Sequence, residues 1–550
     1  MKAAHAALPA LVAAALLLPG LVAEGRERAR AQPANLLVLS VDSLRCDRLR
    51  PFNPGSGVAV PHIEGLAARG VVLSNAWTTA PWTAPALVSV FTGLYPPSHG
   101  VTQRDDTTAP GLPTLPRLLA GHGYRLGNFS FFSAISYFRN LGFPEPEPGL
   151  GHDGVVGSFA EWLDGAEPFM AWVHLLEPHL PYGASGYQAR EARVSGSAGL
   201  EMAQTRAEVP VGSVSFAEGD GERLRQLYDL DLEQLDRVVG ELLAALERKG
   251  LEKRTLVVLV GDHGEELLDH GWVGHASTAL EAKLVPEILR VPLILAGPGL
   301  PQGVVSDELV QHVDLLPTLC RLLGLKAPRT CDGDAFRLRR ARVRSSRKLA
   351  FFDSSLAGNL TPVERRGERL QGVTDGRCLL VQRSGPAGVD VTTAAVYPGD
   401  VAVCSERTGR RLRRALEGWQ RAQGRQRLRL LRGSAEERPP DAHEVGSWDE
   451  AIAVAQPLPD AVLEWSSSGG QIVLEWSGDA RAYWVEYSVG RGLGRVTGAF
   501  RVEQPGVSFG PFPIGFWGDL AAHSPYRFRV LDPGQRSRSP WVEFTVEAAE

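Results

Sequence analysis

The sequence of 550 residues lacks several features that mark common protein classes. Its five cysteines are widely spread, without the close pairs of a metal finger. No basic stripe is evident that would indicate nucleic-acid binding, and the net charge of −5 is modest for this length. Internal repeats and long low-complexity tracts are also absent. These absences leave an ordinary globular protein that is too long for one hydrophobic core, and they predict no nucleic-acid partner.

Only the N-terminus carries a long apolar run, since no later segment approaches 18 uninterrupted apolar residues. The run follows a lysine and ends in small residues, which is typical of a secretory signal. We predict that residues 1–31 are a signal peptide, cleaved after Ala23 or Ala31, and that the protein is secreted or periplasmic and soluble after export. An uncleaved membrane anchor is the alternative, although Pro9 and Pro19 interrupt the run.

The cysteines allow two interpretations. In an oxidising compartment Cys320 could pair with Cys331, and Cys378 with Cys404, which would leave Cys46 free. Alternatively, all five are reduced and buried.

Short apolar runs alternate with helical patterns from residue 32 to residue 335. Residues 35–41 and 255–260 have the continuous apolar character of buried parallel strands. Residues 222–249 repeat apolar side chains at intervals of three to four and stop at a glycine, which predicts a helix. This alternation indicates an α/β fold, with a mostly parallel sheet between helices.

Polar side chains follow three of these predicted strands. Asp42, His174 and the pair Asp262-His263 each stand where a strand ends. Because ligands bind beyond the carboxyl ends of parallel strands, we expect these side chains to converge. His174 is as easily interpreted as a core histidine with its hydrogen bonds satisfied.

Thr83 begins a different kind of element. It precedes Pro85 and an apolar run, so we predict that it is the N-cap of a helix. Free backbone N–H groups at a helix N-terminus suit an anion, although a capped surface helix would show the same pattern.

Together these residues suggest metal chemistry. Asp42, Thr83, Asp262 and His263 offer three oxygens and an imidazole, enough for one divalent ion, either Ca, Mg, Mn or Zn. Such an ion would lower the pKa of the Thr83 hydroxyl, and the resulting alkoxide could attack phosphorus or sulfur to form a covalent intermediate.

The sequence changes in texture after residue 335. Residues 336–432 contain strand-like segments and a basic helix from Arg410 to Arg425, which predicts a small α+β lobe that begins with an Arg-rich solvated connector at 338–348. Residues 433–459 are polar and predict a linker. Residues 460–550 alternate as short strands do, and predict a β-sandwich. Three aromatic residues make this last part resemble a fibronectin type III module, namely Trp476, Tyr487 and Tyr526. We expect this module to bind polysaccharide or protein rather than to act in catalysis.

Six sequence blocks between residues 35 and 330 resemble the sulfatase family of the alkaline phosphatase superfamily, in order and in spacing. They read VDSLRCDRL, TAPWTAPALVSVFTGLYPPSHGV, HLLEPHLPY, VLVGDHGEELLDHGWVGHAS, ILRVPLILAGPG and VQHVDLLPTLCRLLG. The resemblance implies that Asp42, Asp262 and His263 hold a metal and that Thr83 is the nucleophile. It also implies that His179 contacts the ester oxygens or donates a proton to the leaving group, and that His275 lies near where sulfatases carry a substrate-contacting Lys or His.

The chain departs from the family at its most diagnostic motif. Sulfatases carry C/S-x-P-S-R, whose first residue becomes formylglycine, whereas this chain reads Thr83-Ala84-Pro85-Ala86-Leu87. Ser43 also replaces the usual second Asp of the metal site. A threonine nucleophile is instead what phosphoglycerol and phosphoethanolamine transferases and nucleotide phosphodiesterases of the superfamily use.

We therefore predict a metal-dependent hydrolase or transferase of phosphate or sulfate esters that acts without formylglycine. Its substrate would be an anionic ester, with a glycan or a lipid-linked compound as candidates. The alternative is a sulfatase-like binding protein with little or no turnover, which the loss of the motif's Ser and Arg favours.

Overall fold

A computed structural model describes residues 34–433 and, beyond them, strand segments between residues 456 and 545. The predicted signal peptide and most of the predicted linker lie outside the described residues. Within 34–433 the undescribed residues are 103–105, 107, 109–111, 131–137, 139–140, 145–151, 166, 184–194, 206–208, 210–213, 276–281, 340–341, 356–367, 386–387 and 397–403. The chain divides into two compact units, residues 1–436 and 437–550.

The first unit is built on a seven-stranded sheet with the order β10-β2-β9-β6-β1-β5-β4. All neighbouring strands are parallel except β9, which runs antiparallel to both β2 and β6. The central strands are buried on both faces, which explains why they are continuous apolar runs in the sequence. The strands are β1 (Asn35–Val41), β2 (Gly70–Leu73), β3 (Ala76–Trp77), β4 (Arg125–Ser130), β5 (Phe169–Leu175), β6 (Thr255–Gly261), β7 (Glu266–Leu267), β8 (Val273–Gly274), β9 (Leu293–Ala296), β10 (Val304–Ser306) and β11 (Val310–Gln311).

Helices cover both faces of this sheet, so the predicted α/β architecture is confirmed. In β1, Leu36 and Val38 point into one core, and Leu37 and Leu39 into the other. The helices are α1 (Pro61–Ala68), α2 (Thr83–Thr92), α3 (Pro96–His99), α4 (Leu115–Gly121), α5 (His152–Trp162), α6 (Ala198–Ala203), α7 (Asp220–Arg248), α8 (Pro286–Leu289) and α9 (Leu315–Leu322). Helices α2 and α9 pack in the first core, and α1, α5 and α7 in the second. Within the described part of the chain, no helix is both long and apolar enough to cross a membrane.

Three local predictions need correction. Residues 184–220 show no clear periodicity in the sequence, from which we expect a long surface loop, but part of this segment is helix α6, which is capped by Ser197 and buries Leu200. The Arg-rich connector is instead a β-hairpin of β12 (Arg337–Arg339) and β13 (Arg342–Arg344), which buries Val343 while arginines alternate outward. Thr83 is the first residue of α2 rather than its N-cap, which is Trp82.

A smaller lobe completes the first unit. It contains a four-stranded antiparallel sheet of β14 (Ala350–Ser355), β15 (Arg369–Thr374), β16 (Cys378–Gly385) and β17 (Gly388–Ala395), and helix α10 (Glu406–Gly433). Helix α10 contains ten arginines and only two glutamates. The basic helix predicted from Arg410 to Arg425 is therefore present and longer than predicted, although the net charge of −5 over the whole chain gives no sign of it.

The cysteines follow neither interpretation completely. Cys378, the first residue of β16, forms a disulfide with Cys404, which lies two residues before the start of α10. Cys46, Cys320 and Cys331 are free thiols, so the proposed pairing of Cys320 with Cys331 is wrong. Cys320 is a residue of α9 and is fully buried in the core. Cys331 lies against the backbone of Gly93 at the end of α2.

The described residues of the second unit form two mostly antiparallel sheets, one of six strands and one of three. Strands occur where the sequence predicts them, at Gln471–Glu475, Tyr483–Val489 and Pro525–Asp532. The resemblance to a fibronectin type III module stays a prediction. The remaining strands are Gln456–Pro457, Glu464–Ser468, Gly498–Val502, Val507–Phe509, Ser537–Arg538 and Val542–Thr545.

Candidate active site

Helix α2 is buried along its whole length and places Thr83 at its first turn. All ten of its residues are buried, and Thr83 is only 7% exposed. Its hydroxyl does not cap the helix but lies 3.3 Å from His263 Nε2 and 3.4 Å from Asp42 Oδ2. The helix ends at Gly93, whose φ of +67° suits a residue without a side chain. The fold thus points one end of a rigid helix at the predicted metal ligands.

Strands β1 and β6 deliver the acidic residues and His263 to the same place. Val41 pairs with Gly261 in the parallel register, so Asp42 and Asp262 follow at the same edge of the sheet. His263 Nε2 lies 3.4 Å from Asp42 Oδ1 and 3.4 Å from Asp262 Oδ2. The structure therefore brings together all four residues of the predicted metal set.

The hydrogen bond of His263 fixes its tautomer. Its Nδ1 is 2.8 Å from the carbonyl oxygen of Gly264, which can only accept, so Nδ1 carries the proton. Burial, followed by the nearby His275, holds the pKa of His263 well below its usual range. A neutral ring with this tautomer leaves the Nε2 lone pair directed at Thr83, Asp42 and Asp262.

The two carboxylates are poised for a cation. Burial alone would raise the pKa of Asp42, but His179, His174 and His263 outweigh it and hold the pKa below its usual range. For Asp262, burial and the neighbouring Asp42 raise the pKa well above the usual value. Asp262 Oδ2 is buried and makes no hydrogen bond of normal geometry. His263 Nε2 lies 3.4 Å from one oxygen of each carboxylate, and carboxylate oxygens and imidazole nitrogens are ligands of divalent ions.

Two overlapping groups of side chains could hold a metal, and both contain Asp42. One adds His263 and His275, and the other adds His174 and Asp262, with ligand atoms within 4.8 Å of one another in each group. His174 Nε2 is 3.7 Å from Asp42 Oδ2, and its Nδ1 is 2.8 Å from the Ser40 hydroxyl. His174 is thus both buried and adjacent to the predicted metal ligands, which its position at a strand end had left undecided.

The two remaining predicted histidines lie beside each other. The rings of His179 and His275 are 5.0 Å apart, and His275 is 4.2 Å from the ring of His263. His179 is half-buried, and its Nδ1 donates to the Leu180 carbonyl oxygen over 2.6 Å, which leaves Nε2 for other contacts. Burial, followed by His179, lowers the pKa of His275 to about 3. All six predicted site residues therefore lie in one cluster, and all of them except His179 are buried.

Glu265 is a site residue that our sequence reasoning missed. Its carboxylate is fully buried and lies 2.9 Å from His275 Nδ1. Burial raises the pKa of Glu265 to about 8. Its place directly after the Asp262-His263-Gly264 run was the only signal in the sequence. Because it holds one nitrogen of His275, it orients the other toward the pocket.

Ser43 and Tyr228 were missed as well. Ser43 has a φ of +57°, a left-handed conformation that is rare for a residue with a side chain. In this conformation its N–H donates to Asp262 Oδ1 over 3.1 Å, and its hydroxyl donates to Asp42 Oδ1 over 3.0 Å. The Tyr228 hydroxyl holds the turn, since it donates to the Ser43 carbonyl oxygen and accepts from the N–H of Arg45. Ser43 thus bridges both carboxylates of the predicted metal set, Asp42 and Asp262.

Comparison with known proteins agrees with this geometry. The profile of the sulfatase family matches residues 34–325. The low-salt glycan biosynthesis sulfotransferase Agl7 of Haloferax volcanii is 30% identical over 290 residues, which cover 53% of this chain and 61% of that protein. Human arylsulfatase K is 25% identical over 379 residues, covering 59% of this chain and 69% of that protein.

A solved structure shows the same fold. The phosphonate monoester hydrolase of Agrobacterium radiobacter superposes with a TM-score of 0.55 at 21% identity, covering 71% of this chain and 96% of that protein. The fold class predicted from the six blocks is therefore confirmed over the first unit.

Proposed function

Because the chain belongs to the sulfatase family, we propose that it is a metal-dependent hydrolase or transferase of sulfate or phosphate esters, with Thr83 as its nucleophile. The observation that carries this proposal is the position of the Thr83 hydroxyl. It lies at the buried N-terminus of α2, within 3.4 Å of Asp42 and His263. A structural threonine at a helix start would not need two metal-binding side chains as its neighbours.

The proposed reaction uses groups of this chain at each step. A divalent ion held by Asp42, Asp262 and His263 would lower the pKa of the Thr83 hydroxyl and offset the charge of the ester. Thr83 Oγ1, after losing its proton to solvent, attacks sulfur or phosphorus, and the bond to the leaving oxygen breaks. His179, protonated on both ring nitrogens, gives the proton on Nε2 to the leaving oxygen. Water or an acceptor alcohol then attacks the covalent ester and passes its proton to His179 Nε2, and the Thr83 oxygen leaves as the alkoxide that began the cycle.

Residues of α2 support a mechanism without formylglycine. Ala86 and Leu87 occupy the positions of the Ser and Arg in the sulfatase motif, and both are fully buried. Leu87 packs in the apolar core, where an unpaired guanidinium would be costly. The environment of a formylglycine residue in sulfatases is therefore not reproduced around Thr83.

The names of the relatives support a glycan as substrate. One relative is named for glycan biosynthesis and the other for arylsulfatase activity. Both sulfate and phosphate esters remain candidates, because the proposed ligand set neutralises an anionic ester of either kind.

We also propose that the protein is exported. The disulfide between Cys378 and Cys404 supports this, since disulfides persist in oxidising compartments. N-terminal sequencing of the protein from a periplasmic or culture-medium fraction tests the proposal. A start after Ala23 or Ala31 would support it, and an intact Met1 in the cytoplasm would contradict it.

Turnover of matched chromogenic esters tests the nucleophile. Aryl sulfate, aryl phosphate and aryl phosphodiester would be compared with EDTA and with added Ca, Mg, Mn or Zn. Thr83→Ala should lower turnover by at least about 10³-fold, as loss of a nucleophile does. The matched control is Thr92→Ala at the other end of α2, where the hydroxyl donates to the Val88 carbonyl oxygen and accepts from the N–H of Leu94, and turnover should persist.

A second function is a binding protein with little or no turnover. The replacement of the motif's Ser and Arg by Ala86 and Leu87 favours it. Metal binding without turnover of any of the three esters would support this function and contradict the first.

A further inference from the structure

Helix α10 carries a line of arginines along the face opposite to its buried side. Its buried residues are Leu412, Leu416, Trp419 and Gln423. At 100° per residue, the opposite half of the helix contains Arg407, Arg410, Arg411, Arg414, Glu417, Gly418, Arg421 and Arg425. We call the exposed residues Arg407, Arg411, Arg414, Arg421 and Arg425 the arginine stripe, and exposed Glu417 lies beside them.

The stripe is long, and most of its charge is uncompensated. Arg407 and Arg425 are 18 residues apart, so the stripe extends for about 27 Å along the helix. Arg411 pairs with Asp375 of the neighbouring sheet. The other four arginines form no ion pair with any described residue. Glu406, at the start of the helix, pairs with Arg410 instead. A row of free guanidinium groups suits the planar oxygens of sulfate or phosphate, which arginine binds through two parallel hydrogen bonds.

The helix is held rigidly in this orientation. Trp419 stacks on Phe351 with ring centroids 5.3 Å apart and packs edge-on against Tyr95. Gln423 accepts a hydrogen bond from Ser98 of α3, the short helix that follows α2. A fixed row of cations therefore stands on the same framework as the helix that begins with Thr83.

We propose that the arginine stripe binds a linear polyanionic polysaccharide, the polymeric form of the substrate, along a surface separate from the Thr83 pocket. This inference rests on the proposed function for the idea that the polymer is also cleaved. Charge complementarity indicates that the ligand is a polyanion. Two observations argue against the other polyanions, a membrane surface and single-stranded nucleic acid. A membrane-surface helix exposes apolar side chains, whereas the apolar face of α10 is buried against the lobe. Single-stranded nucleic acid is bound with exposed aromatic side chains, and Trp419, the one aromatic residue of α10, is buried.

Two triple variants with the same change in charge test the proposal. Arg414→Gln, Arg421→Gln and Arg425→Gln remove three of the four unpaired arginines of the stripe. Arg337→Gln, Arg342→Gln and Arg344→Gln remove three exposed arginines from the β12–β13 hairpin as the matched control. The salt concentration that elutes the full chain from immobilised heparin is measured first. Kd values follow for heparin, single-stranded DNA and vesicles of phosphatidylserine and phosphatidylcholine.

The expected result is specific to the stripe. Loss of three exposed ionic contacts should weaken heparin binding roughly tenfold, whereas the hairpin control should bind within about twofold of the parent. Turnover of a small aryl ester should be unchanged in both variants, and kcat/KM on a sulfated polysaccharide should fall only in the stripe variant. Equal losses in the two variants, or no loss in either, would overturn the proposal. Tighter binding to DNA or to vesicles than to heparin would overturn the choice of partner.

Failure of the proposed enzymatic function would look different. If the parent protein turns over no ester but its heparin binding depends on the stripe, the stripe proposal stands for binding and the catalytic proposal falls. If esters are turned over and heparin binding does not depend on the stripe, the catalytic proposal stands and the stripe proposal falls.

Discussion

Helices α2 and α10 differ in how many of their side chains can reach a ligand. Helix α2 is buried on every side, so only its first residue, Thr83, can act on a ligand. Helix α10 is buried on one side, so its chemistry is spread over a face about 27 Å long. The first arrangement suits one reacting atom in a dry pocket, and the second suits a repeated contact with an extended chain.

The two arrangements predict different responses to mutation. Around the end of α2 each polar group has several buried partners, so losing one group leaves the others unsatisfied. On the exposed face of α10 each arginine acts nearly independently in water, where single ionic contacts are weak. Function should therefore fail abruptly at the pocket and gradually along the stripe.

The largest effect should come from the metal-binding carboxylates. Asp262→Asn removes a charge from a fully buried cluster and should lower both bound metal and turnover, the latter by about 10³-fold. Metal content by elemental analysis and kcat on an aryl ester provide the measurements. Glu417→Gln on exposed α10 is the control and should change neither. Full metal content in Asp262→Asn would remove Asp262 from the ligand set.

The buried side of α10 should matter for stability rather than for chemistry. Trp419→Ala leaves a cavity between Phe351 and Tyr95 and should cost about 3–5 kcal/mol of the free energy of unfolding. Thermal unfolding checks this effect, and Trp419→Phe should retain most of the stability. The kcat on a small ester should stay within about twofold below the melting temperature. A large loss of kcat at full stability would show that α10 also shapes the pocket.

Helix α7 adds a third case to the comparison of α2 and α10, because its buried carboxylate, that of Asp231, forms no ion pair with any described residue. Asp231 accepts the N–H of Gly183 over 2.9 Å, and burial together with Glu177 raises the pKa of Asp231 to about 7. Below the unfolded pKa of 3.8 both states are protonated. As the pH rises toward 7 only the unfolded state ionises, so stability falls by up to a few kcal/mol.

Asp231→Asn should therefore stabilise the protein at pH 8 relative to the parent, but not at pH 4. Melting temperatures of the two proteins at both pH values test this, and the difference should reach several degrees at pH 8. Exposed Asp164, which pairs with Lys249, provides the control Asp164→Asn. An equal difference at both pH values would contradict the raised pKa.

The smallest effect should follow from Tyr228→Phe. The change removes the hydroxyl that holds Ser43 in its left-handed turn, and should cost about 1–3 kcal/mol. Because Ser43 bridges Asp42 and Asp262, metal affinity should fall by about 10–100-fold as well. Titration of metal against the apo-protein measures this fall. Lower stability with unchanged metal affinity would restrict Tyr228 to a structural role.

The sequence predicted the central sheet and the convergence of its strand ends, because burial on both faces forces apolar runs to stop at polar residues. It could not predict lateral neighbours, since these depend on strand register. Ser40 pairs with His174 in the register of β1 and β5, which places His174 beside Asp42. No spacing along the chain contains that information.

Local patterns failed where tertiary contacts overrode them. Thr83 has the sequence context of an N-cap, but its hydroxyl lies against Asp42 and His263 and so the cap moves to Trp82. The basic helix was predicted, but its exposed face was not, because the side that packs on the lobe is decided by tertiary contacts of Leu412, Leu416 and Trp419. Glu265 was missed because its role depends on a contact ten residues away, with His275.

The disulfide of the smaller lobe has a consequence for proteolysis. Cys378 and Cys404 enclose a loop with a sequence separation of 26, and α10 and the second unit follow it along the chain. A protease that cuts once inside this loop would leave everything after the cut covalently attached to the first unit. Under oxidising conditions such a cut would not change the apparent molecular mass of the protein. Only reduction of the disulfide would release the C-terminal fragment that contains the arginine stripe.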